Sequence, residues 1–262
     1  MLGLDRPNEP GRVLVAGDWH GNTGWALRVI RNLPGLLPDE SPRMVLHAGD
    51  FGVWPGTNGD RYLHKLTREL ARVNGVILFV DGNHDDHHRL AALPVRDGLG
   101  EVTERIFHLP RGRRWVWGGR TWLALGGAVS LDRALRVEGR TWWPGEEITR
   151  DQAQAVVNDG VADVMITHDC PAGVEHHFGP PPSVWAQRDV ERSQAHRALL
   201  QDVVDQVQPS HLIHGHLHRA YTRRVAMSHG HVQVRGLDCD GAARGNWAVL
   251  DVPTMACGAA HA

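Results

Sequence analysis

The chain has 262 residues, enough for one large α/β domain with a substantial core. Its formal net charge of −2 excludes a general attraction to nucleic acid, so polynucleotide binding would need a local basic patch. Three cysteines are too few for a disulfide framework, and the sequence has neither a signal-peptide pattern nor an apolar run of membrane-spanning length. We therefore expect a cytoplasmic protein that makes no membrane contact.

Five short apolar runs predict β-strands, and each run is followed by a loop that carries Asp, Asn or His. Apolar residues at helical spacing after the first two runs predict the helices 25–32 and 62–73, so the chain begins as β-α-β. Side chains at the carboxyl ends of strands converge in α/β folds. The five runs are 13–16, 44–47, 76–80, 164–167 and 211–214.

After residue 102 the sequence pattern changes to short β-rich runs, which predict a second sheet. An irregular loop over 126–144 is expected beside the site, and the capping-box spacing of Thr149 and Gln152 predicts a helix over 150–158. A longer helix is expected over 190–207. We predict one domain over 1–252 and a flexible tail over 253–262. The strands assigned to the second sheet are 106–109, 114–117, 121–125, 221–227, 231–236 and 246–250.

Seven donor side chains stand in the five loops, too many for one tetrahedral ion and suitable for two ions that share a carboxylate. Oxygen and imidazole donors suit Mn²⁺, Fe, Zn²⁺, Co²⁺ or Ni²⁺, with Mn²⁺ our first choice, rather than copper(I) or an iron–sulfur cluster. Cys170 lies near the site but is expected to be a small buried hydrophobe and not a ligand. The seven donors are Asp18, His20, Asp50, Asn83, His168, His216 and His218.

A pair of divalent ions roughly 3.5–4 Å apart can hold a bridging water as hydroxide and polarise a phosphoryl oxygen. Such a pair suits the hydrolysis of phosphate esters. His84 directly follows Asn83 and is expected to act as a general acid or oxyanion stabiliser. Asp85 is expected to fix the tautomer of His84.

The order of these motifs resembles that of the calcineurin-like metallophosphoesterase superfamily. The resemblance implies a four-layer α/β sandwich, in which two mixed β-sheets pack face to face with flanking helices. It further implies that Asp50 bridges two metal ions. The sequence departs from the family pattern at Val53, where relatives often carry a charged residue. One metal would take Asp18, His20, Asp50 and His218, and the other Asp50, Asn83, His168 and His216.

Several residues are candidates for substrate contact. Trp19 and Trp54 are expected to form a pocket wall or to stack on a nucleobase, and His176 and His177 lie in a loop soon after His168. A proline-rich segment over 178–185 is expected at the pocket rim. Two arginine groups are either solvated surface or phosphate-binding: Arg111, Arg113 and Arg114, and Arg219, Arg223 and Arg224.

The expected function is hydrolysis of phosphomonoesters or phosphodiesters by a metal-bridging hydroxide, with a nucleotide or nucleic-acid-derived substrate. A serine/threonine-type phosphoprotein phosphatase and a nuclease are alternatives within the same chemistry. A non-catalytic protein-binding scaffold is the alternative from another class.

Overall fold

A computed structural model of the protein describes residues 9–174 and 185–258. Two mixed β-sheets form its centre. The seven-stranded sheet has the order β13-β1-β2-β3-β6-β5-β4, with β1, β2, β3 and β6 parallel and the outer strands antiparallel. Its strands are β1 (Arg12–Ala16), β2 (Arg43–His47), β3 (Gly75–Phe79), β4 (Val95–Arg96), β5 (Leu99–Thr103), β6 (Ile106–His108) and β13 (Trp247–Asp251).

The six-stranded sheet has the order β11-β12-β10-β9-β8-β7. Its four central strands are parallel, and the outer strands β11 and β7 are antiparallel. These strands are β7 (Arg114–Trp117), β8 (Arg120–Leu125), β9 (Val164–Thr167), β10 (His211–His214), β11 (Tyr221–Met227) and β12 (Gly230–Gly236).

The helices lie on the outer faces of the two sheets. The capping box at Thr149 and Gln152 is present as the sequence predicts. None of the helices found over the two described ranges combines the length and apolar character that a bilayer crossing requires. The helices are α1 (Thr23–Leu36), α2 (Gly56–Arg72), the short α3 (His87–Ala91), α4 (Arg150–Asn158) and α5 (Gln187–Val207).

Successive side chains of a strand point to opposite faces of the sheet, and the buried apolar residues therefore form three clusters. In β1, Val13 and Val15 face the other sheet, whereas Leu14 and Ala16 pack beneath α1 and α2. This is the period-two pattern of a strand that is buried on both faces. A third cluster joins the six-stranded sheet to α4 and α5. The predicted four-layer sandwich of two mixed sheets is confirmed.

Two strands belong to a different sheet from the one the sequence predicts. The strand Ile106–His108 pairs with β3, and Trp247–Asp251 pairs antiparallel with β1, so both extend the seven-stranded sheet. A strand's own residues encode its burial pattern but not its pairing partner, which explains the error.

Part of the segment predicted as a flexible tail contacts the seven-stranded sheet. The Asp251 N–H donates to the Ala256 carbonyl at 2.8 Å, and Met255 is buried. Cys257 forms a β-bridge with Leu250. Residues 253–258 therefore pack against β13, and residues 259–262 lie outside the described ranges.

Candidate metal centre

The seven candidate ligands lie together where parallel strands of the two sheets end. The loops after β1, β2 and β3 bring Asp18, His20, Asp50 and Asn83, whereas His168 follows β9 and the last two histidines follow β10. Glycines next to the ligands allow these loops to approach one another closely. A Cβ at Gly82 would collide with the backbone and carboxylate of Asp50. A Cβ at Gly215 would likewise collide with the carboxylate of Asp18.

One group of donors, which we call the first ligand set, consists of Asp18, His20, Asp50 and His218. One ligand atom from each residue lies within 4.8 Å of the others. His20 Nε2 is 3.4 Å from Asp50 Oδ2, and His218 Nε2 is 3.5 Å from Asp18 Oδ1. Two carboxylates and two imidazoles in this space suit one divalent ion.

The second ligand set consists of Asp50, Asn83, His168 and His216. His168 Nε2 lies 3.4 Å from Asp50 Oδ1 and 3.2 Å from Asn83 Oδ1. The rings of His168 and His216 are 5.0 Å apart between centroids. The two carboxylate oxygens of Asp50 thus face different sets, Oδ2 towards His20 and Oδ1 towards His168. This is the geometry that a bridging carboxylate requires.

Neighbouring groups orient the histidine rings of both sets. Asp240 Oδ1 lies 2.9 Å from His20 Nδ1, and the Ala48 carbonyl lies 2.7 Å from His168 Nδ1. Because each Nδ1 donates a proton to these acceptors, each Nε2 is directed at Asp50. Such outer contacts are typical of metal-binding histidines, so the donor set fits divalent ions.

The amide of Asn83 is also fixed in orientation. Its Nδ2 donates to Ser130 Oγ at 3.0 Å, and the Ser130 hydroxyl donates to Glu146 Oε2 at 2.6 Å. The Ser130 N–H donates to Glu146 Oε1 at 3.1 Å. Since Ser130 offers a lone pair to Asn83, the amide oxygen of Asn83 is left for the second ligand set.

The charge of the cluster attracts cations. Burial lowers the pKa of His20, but the hydrogen bond with Asp50 and nearby carboxylates outweigh it and raise the pKa to about 9. Burial is similarly outweighed at His168, where Asp50 raises the pKa to about 10. In contrast, burial lowers the pKa of His216 to about 4. The carboxylates of the cluster thus favour positive charge on both sides of Asp50.

Asp85 does not orient His84, contrary to the sequence-based expectation. Its buried carboxylate accepts the N–H groups of Phe51, Gly52 and Val53 from one loop and of Gly82 from the next, at 2.8 to 3.3 Å. Burial and the Asp50 charge raise the pKa of Asp85 to about 6, although the backbone donors lower it. Asp85 therefore ties two ligand loops together.

His84 is oriented instead by a loop that the motifs do not include. Arg136 Nη2 lies 3.1 Å from His84 Nε2, and Asp132 accepts hydrogen bonds from Arg136. His84 Nε2 is 3.8 Å from Asp50 Oδ2, so its ring borders the candidate metal centre. Burial lowers the pKa of His84, and Arg136 and His20 add to this effect against Asp50.

The two tryptophans near the motifs differ in accessibility. Trp19 is fully buried, packs on His47 and Phe51, and donates from Nε1 to Asn246 Oδ1 at 3.2 Å. It cannot stack on a substrate, and that expectation is wrong. Trp54 is 37% exposed and donates from Nε1 to the His84 carbonyl at 3.1 Å, which keeps it beside the site.

Two of the candidate arginines make structural contacts within the protein. Arg111 donates to Asp81 and to three backbone carbonyls, and Arg114 donates to carbonyls near the end of α4, so both have structural contacts. Val53 is buried, and its position offers no charged contact. His176, His177 and most of the proline-rich segment lie outside the described residues.

Sequence reasoning missed four residues that orient this site. The expectation of a loop beside the site over 126–144 was the signal that could have found two of them, Ser130 and Arg136, but no motif spacing marks any of the four. They act on the candidate ligands and His84 by tertiary contacts alone. They are Ser130, Arg136, Glu146 and Asp240.

Comparison with known proteins agrees with the fold and with the motif order. The profile of the calcineurin-like phosphoesterase family matches residues 11–220. The chain belongs to this family, and it is a metal-dependent phosphoesterase. The family implies a centre of two divalent metal ions and a phosphate-ester substrate. No curated protein sequence matches the chain.

Among solved structures, the protein TT1561 of Thermus thermophilus is similar, with a TM-score of 0.57 and 11% sequence identity. The match covers 95% of this chain and 97% of that one, and it shows a shared fold. The phosphopantetheinyl hydrolase PptH from Mycobacterium tuberculosis matches with a TM-score of 0.44 at 14% identity, over 87% of this chain and 90% of that one. The sulfate thiohydrolase SoxB of Thermus thermophilus also has a TM-score of 0.44, at 11% identity, over 91% of this chain and 42% of that one.

Proposed function

We propose that the chain hydrolyses phosphomonoesters or phosphodiesters at a dinuclear site bridged by Asp50. The observation that carries this proposal is the division of the Asp50 carboxylate between the two ligand sets, Oδ2 with His20 and Oδ1 with His168. Two divalent ions bound there would supply Lewis-acid activation of water and of the phosphoryl group. Mn²⁺ is our first choice of ion, because oxygen and imidazole donors suit it.

His84 is the proposed proton donor or oxyanion stabiliser for the leaving oxygen. Its ring is 24% exposed and borders Asp50, so it can meet a bound ester at the edge of the site. Asp18, Asp50 and the histidines are proposed to hold the ions. Asp85 supports the ligand loops and takes no part in proton transfer.

The organic part of the substrate is proposed to be a nucleotide or nucleic-acid fragment. With Trp19 buried, this rests on Trp54, whose partly exposed indole is held against the backbone of His84. An indole face at that position suits a planar group by stacking. We also propose a cytoplasmic location, supported by the three free thiols of Cys170, Cys239 and Cys257.

The test is hydrolysis of an aryl phosphate and a bis-aryl phosphate by protein reconstituted with Mn²⁺, Zn²⁺, Fe²⁺, Co²⁺ or Ni²⁺. We expect two metal equivalents per chain and turnover of at least one ester. Asp50→Asn should lose metal and activity, whereas Asp202→Asn on the exposed face of α5 should keep both. Absence of turnover with every metal would favour the scaffold alternative.

The choice of substrate class needs a second screen. Cyclic nucleotides, mononucleotides, phosphopeptides and short DNA or RNA should be compared at equal concentration. We expect the highest kcat/KM for a nucleotide or oligonucleotide. A preference for phosphopeptides would contradict the proposed substrate and favour the phosphoprotein phosphatase.

A further inference from the structure

The loop between β8 and α4 places a guanidinium group inside the site while its apolar neighbours face solvent. The Arg136 side chain is only 16% exposed, whereas Leu135 is 82% and Val137 56% exposed. This reverses the usual partition, in which arginine lies outside and aliphatic residues inside. The loop is therefore shaped to hold Arg136 against His84.

The guanidinium of Arg136 is held rigidly before any ligand arrives. Asp132 accepts from Nε and Nη2 at 2.5 and 2.6 Å, in the paired geometry of an arginine–carboxylate fork. The Thr141 carbonyl accepts from Nη1 at 3.0 Å. Because this arrangement has already restricted the side chain, a ligand that binds to it meets a smaller loss of conformational entropy.

The hydrogen bonds leave one donor of Arg136 available. A guanidinium has five N–H groups. The Nε–H and one Nη2–H donate to Asp132, the second Nη2–H points to His84, and one Nη1–H donates to Thr141. No acceptor for the second Nη1–H is found among residues 9–174 and 185–258. The contact with His84 Nε2 is also one that a stronger acceptor would replace.

We propose that Arg136 is a substrate-binding residue, whose guanidinium donates to a non-bridging oxygen of the substrate phosphoryl group. This inference rests on the proposed function of the same site. His84 Nε2 lies 3.1 Å from Arg136 Nη2 and 3.8 Å from Asp50 Oδ2. Because the same imidazole nitrogen contacts both groups, a phosphoryl oxygen that takes the place of this nitrogen at the edge of the ligand sets would meet the guanidinium.

The chemistry of arginine favours this role over simple support of the His84 ring. A backbone carbonyl or a serine would fix a neutral imidazole without adding a positive charge beside it. The planar fork of arginine matches phosphate oxygens, and hydrogen bonds from a charged donor are the stronger kind. Beside the carboxylates of Asp18 and Asp50, Arg136 supplies a positive charge that does not depend on the binding of a proton or a metal ion.

The test compares Arg136→Gln and Arg136→Lys with Arg140→Gln as the control, since Arg140 is an exposed arginine of the same loop. KM and kcat for an aryl phosphate are measured on metal-loaded protein. Binding of inorganic phosphate is measured separately by calorimetry, together with metal content and melting temperature. If Arg136→Gln does not fold, Arg136→Lys carries the comparison.

We expect Arg136→Gln to raise KM and the phosphate Kd by about 10- to 100-fold, because a charge-assisted hydrogen bond is lost. The value of kcat should also fall, because Arg136 orients His84, so the rise in KM and in the phosphate Kd is what distinguishes phosphate binding from positioning alone. Arg136→Lys should fall between Arg136→Gln and the wild type, because lysine keeps the charge without the fork. Arg140→Gln should match the wild type.

A fall in kcat with unchanged KM and phosphate Kd would overturn the proposal, because Arg136 would then act only by positioning His84. Wild-type protein that binds phosphate but cleaves no ester would contradict the proposed function. In that case the phosphate Kd of Arg136→Gln still decides the role of Arg136. Wild-type protein that neither binds phosphate nor cleaves an ester would overturn both.

Discussion

At the scale of single residues, the candidate ligands themselves adopt strained backbone conformations. Five of them have positive φ angles between 45° and 66°, a region that costs a residue with a Cβ of the order of 1 kcal/mol. Strain concentrated on the ligands indicates that the loops are shaped for binding rather than for stability alone. The five are Asp18, His20, Asp50, His216 and His218.

A buried histidine beneath the site makes stability depend on pH. His47 is fully buried, and neither ring nitrogen has a hydrogen-bond partner among the described residues. Burial lowers the pKa of His47 to about 3, from an ordinary value of 6.5. As the pH falls below 6.5, the unfolded chain therefore binds this proton more readily than the folded one, and the free energy of unfolding decreases.

We expect His47→Leu to remove this dependence. When the pH is lowered from 7.5 to 5.5, the free energy of unfolding should fall by about 1 kcal/mol less in the variant than in the wild type. Urea unfolding of chelator-treated protein at the two pH values measures this difference. His64→Leu, at an exposed position of α2, is the control and should not change the difference. An equal pH slope for His47→Leu and wild type would contradict the assignment.

At the scale of elements, the loops after β2 and β3 act as one unit because Asp85 joins them. Asp85 Oδ1 accepts from Gly52 and Val53, and Oδ2 accepts from Gly82 and Phe51. Four backbone donors therefore depend on one carboxylate. The position of Asp50 relative to Asn83 depends on the same contacts.

We expect Asp85→Asn to lower the free energy of unfolding by about 2–4 kcal/mol, because the amide NH₂ faces two N–H donors that lose their acceptor. Metal content should fall in the same variant. Urea unfolding and elemental analysis measure both effects, with Asp202→Asn as the control. A stable variant with slow turnover would instead restore Asp85 to the role of orienting His84.

At the scale of the whole molecule, the candidate metal centre joins the two sheets. The loops of the seven-stranded sheet supply Asp18, His20, Asp50 and Asn83, and the six-stranded sheet supplies the other three histidines. Metal ions held by both groups would cross-link the sandwich. Binding to the folded state alone stabilises it by mass action.

Removal of metal with EDTA should therefore lower the melting temperature. At a metal concentration 100 times Kd, the stabilisation is about 2.7 kcal/mol, which corresponds to roughly 5–10 °C for a chain of this size. Calorimetry with and without EDTA measures the shift. Asp50→Asn should show no shift, and an unchanged wild-type melting temperature would argue against a metal centre between the sheets.

The sequence by itself determined the strands, the five ligand loops and the order of the motifs, because alternation, glycine and donor side chains are local properties of the chain. It therefore predicted the family, the four-layer fold and the seven candidate ligands. Tertiary structure alone decided that Ile106–His108 and Trp247–Asp251 join the seven-stranded sheet, since strand pairing depends on distant partners.

Tertiary structure also decided the contacts that orient the ligands. The burial of Trp19, the backbone contacts of Asp85 and the position of Arg136 on His84 arise between segments far apart in the chain. Local sequence shows which side chains can donate or accept. Packing determines which of them meet, because each hydrogen bond needs both partners within about 3 Å.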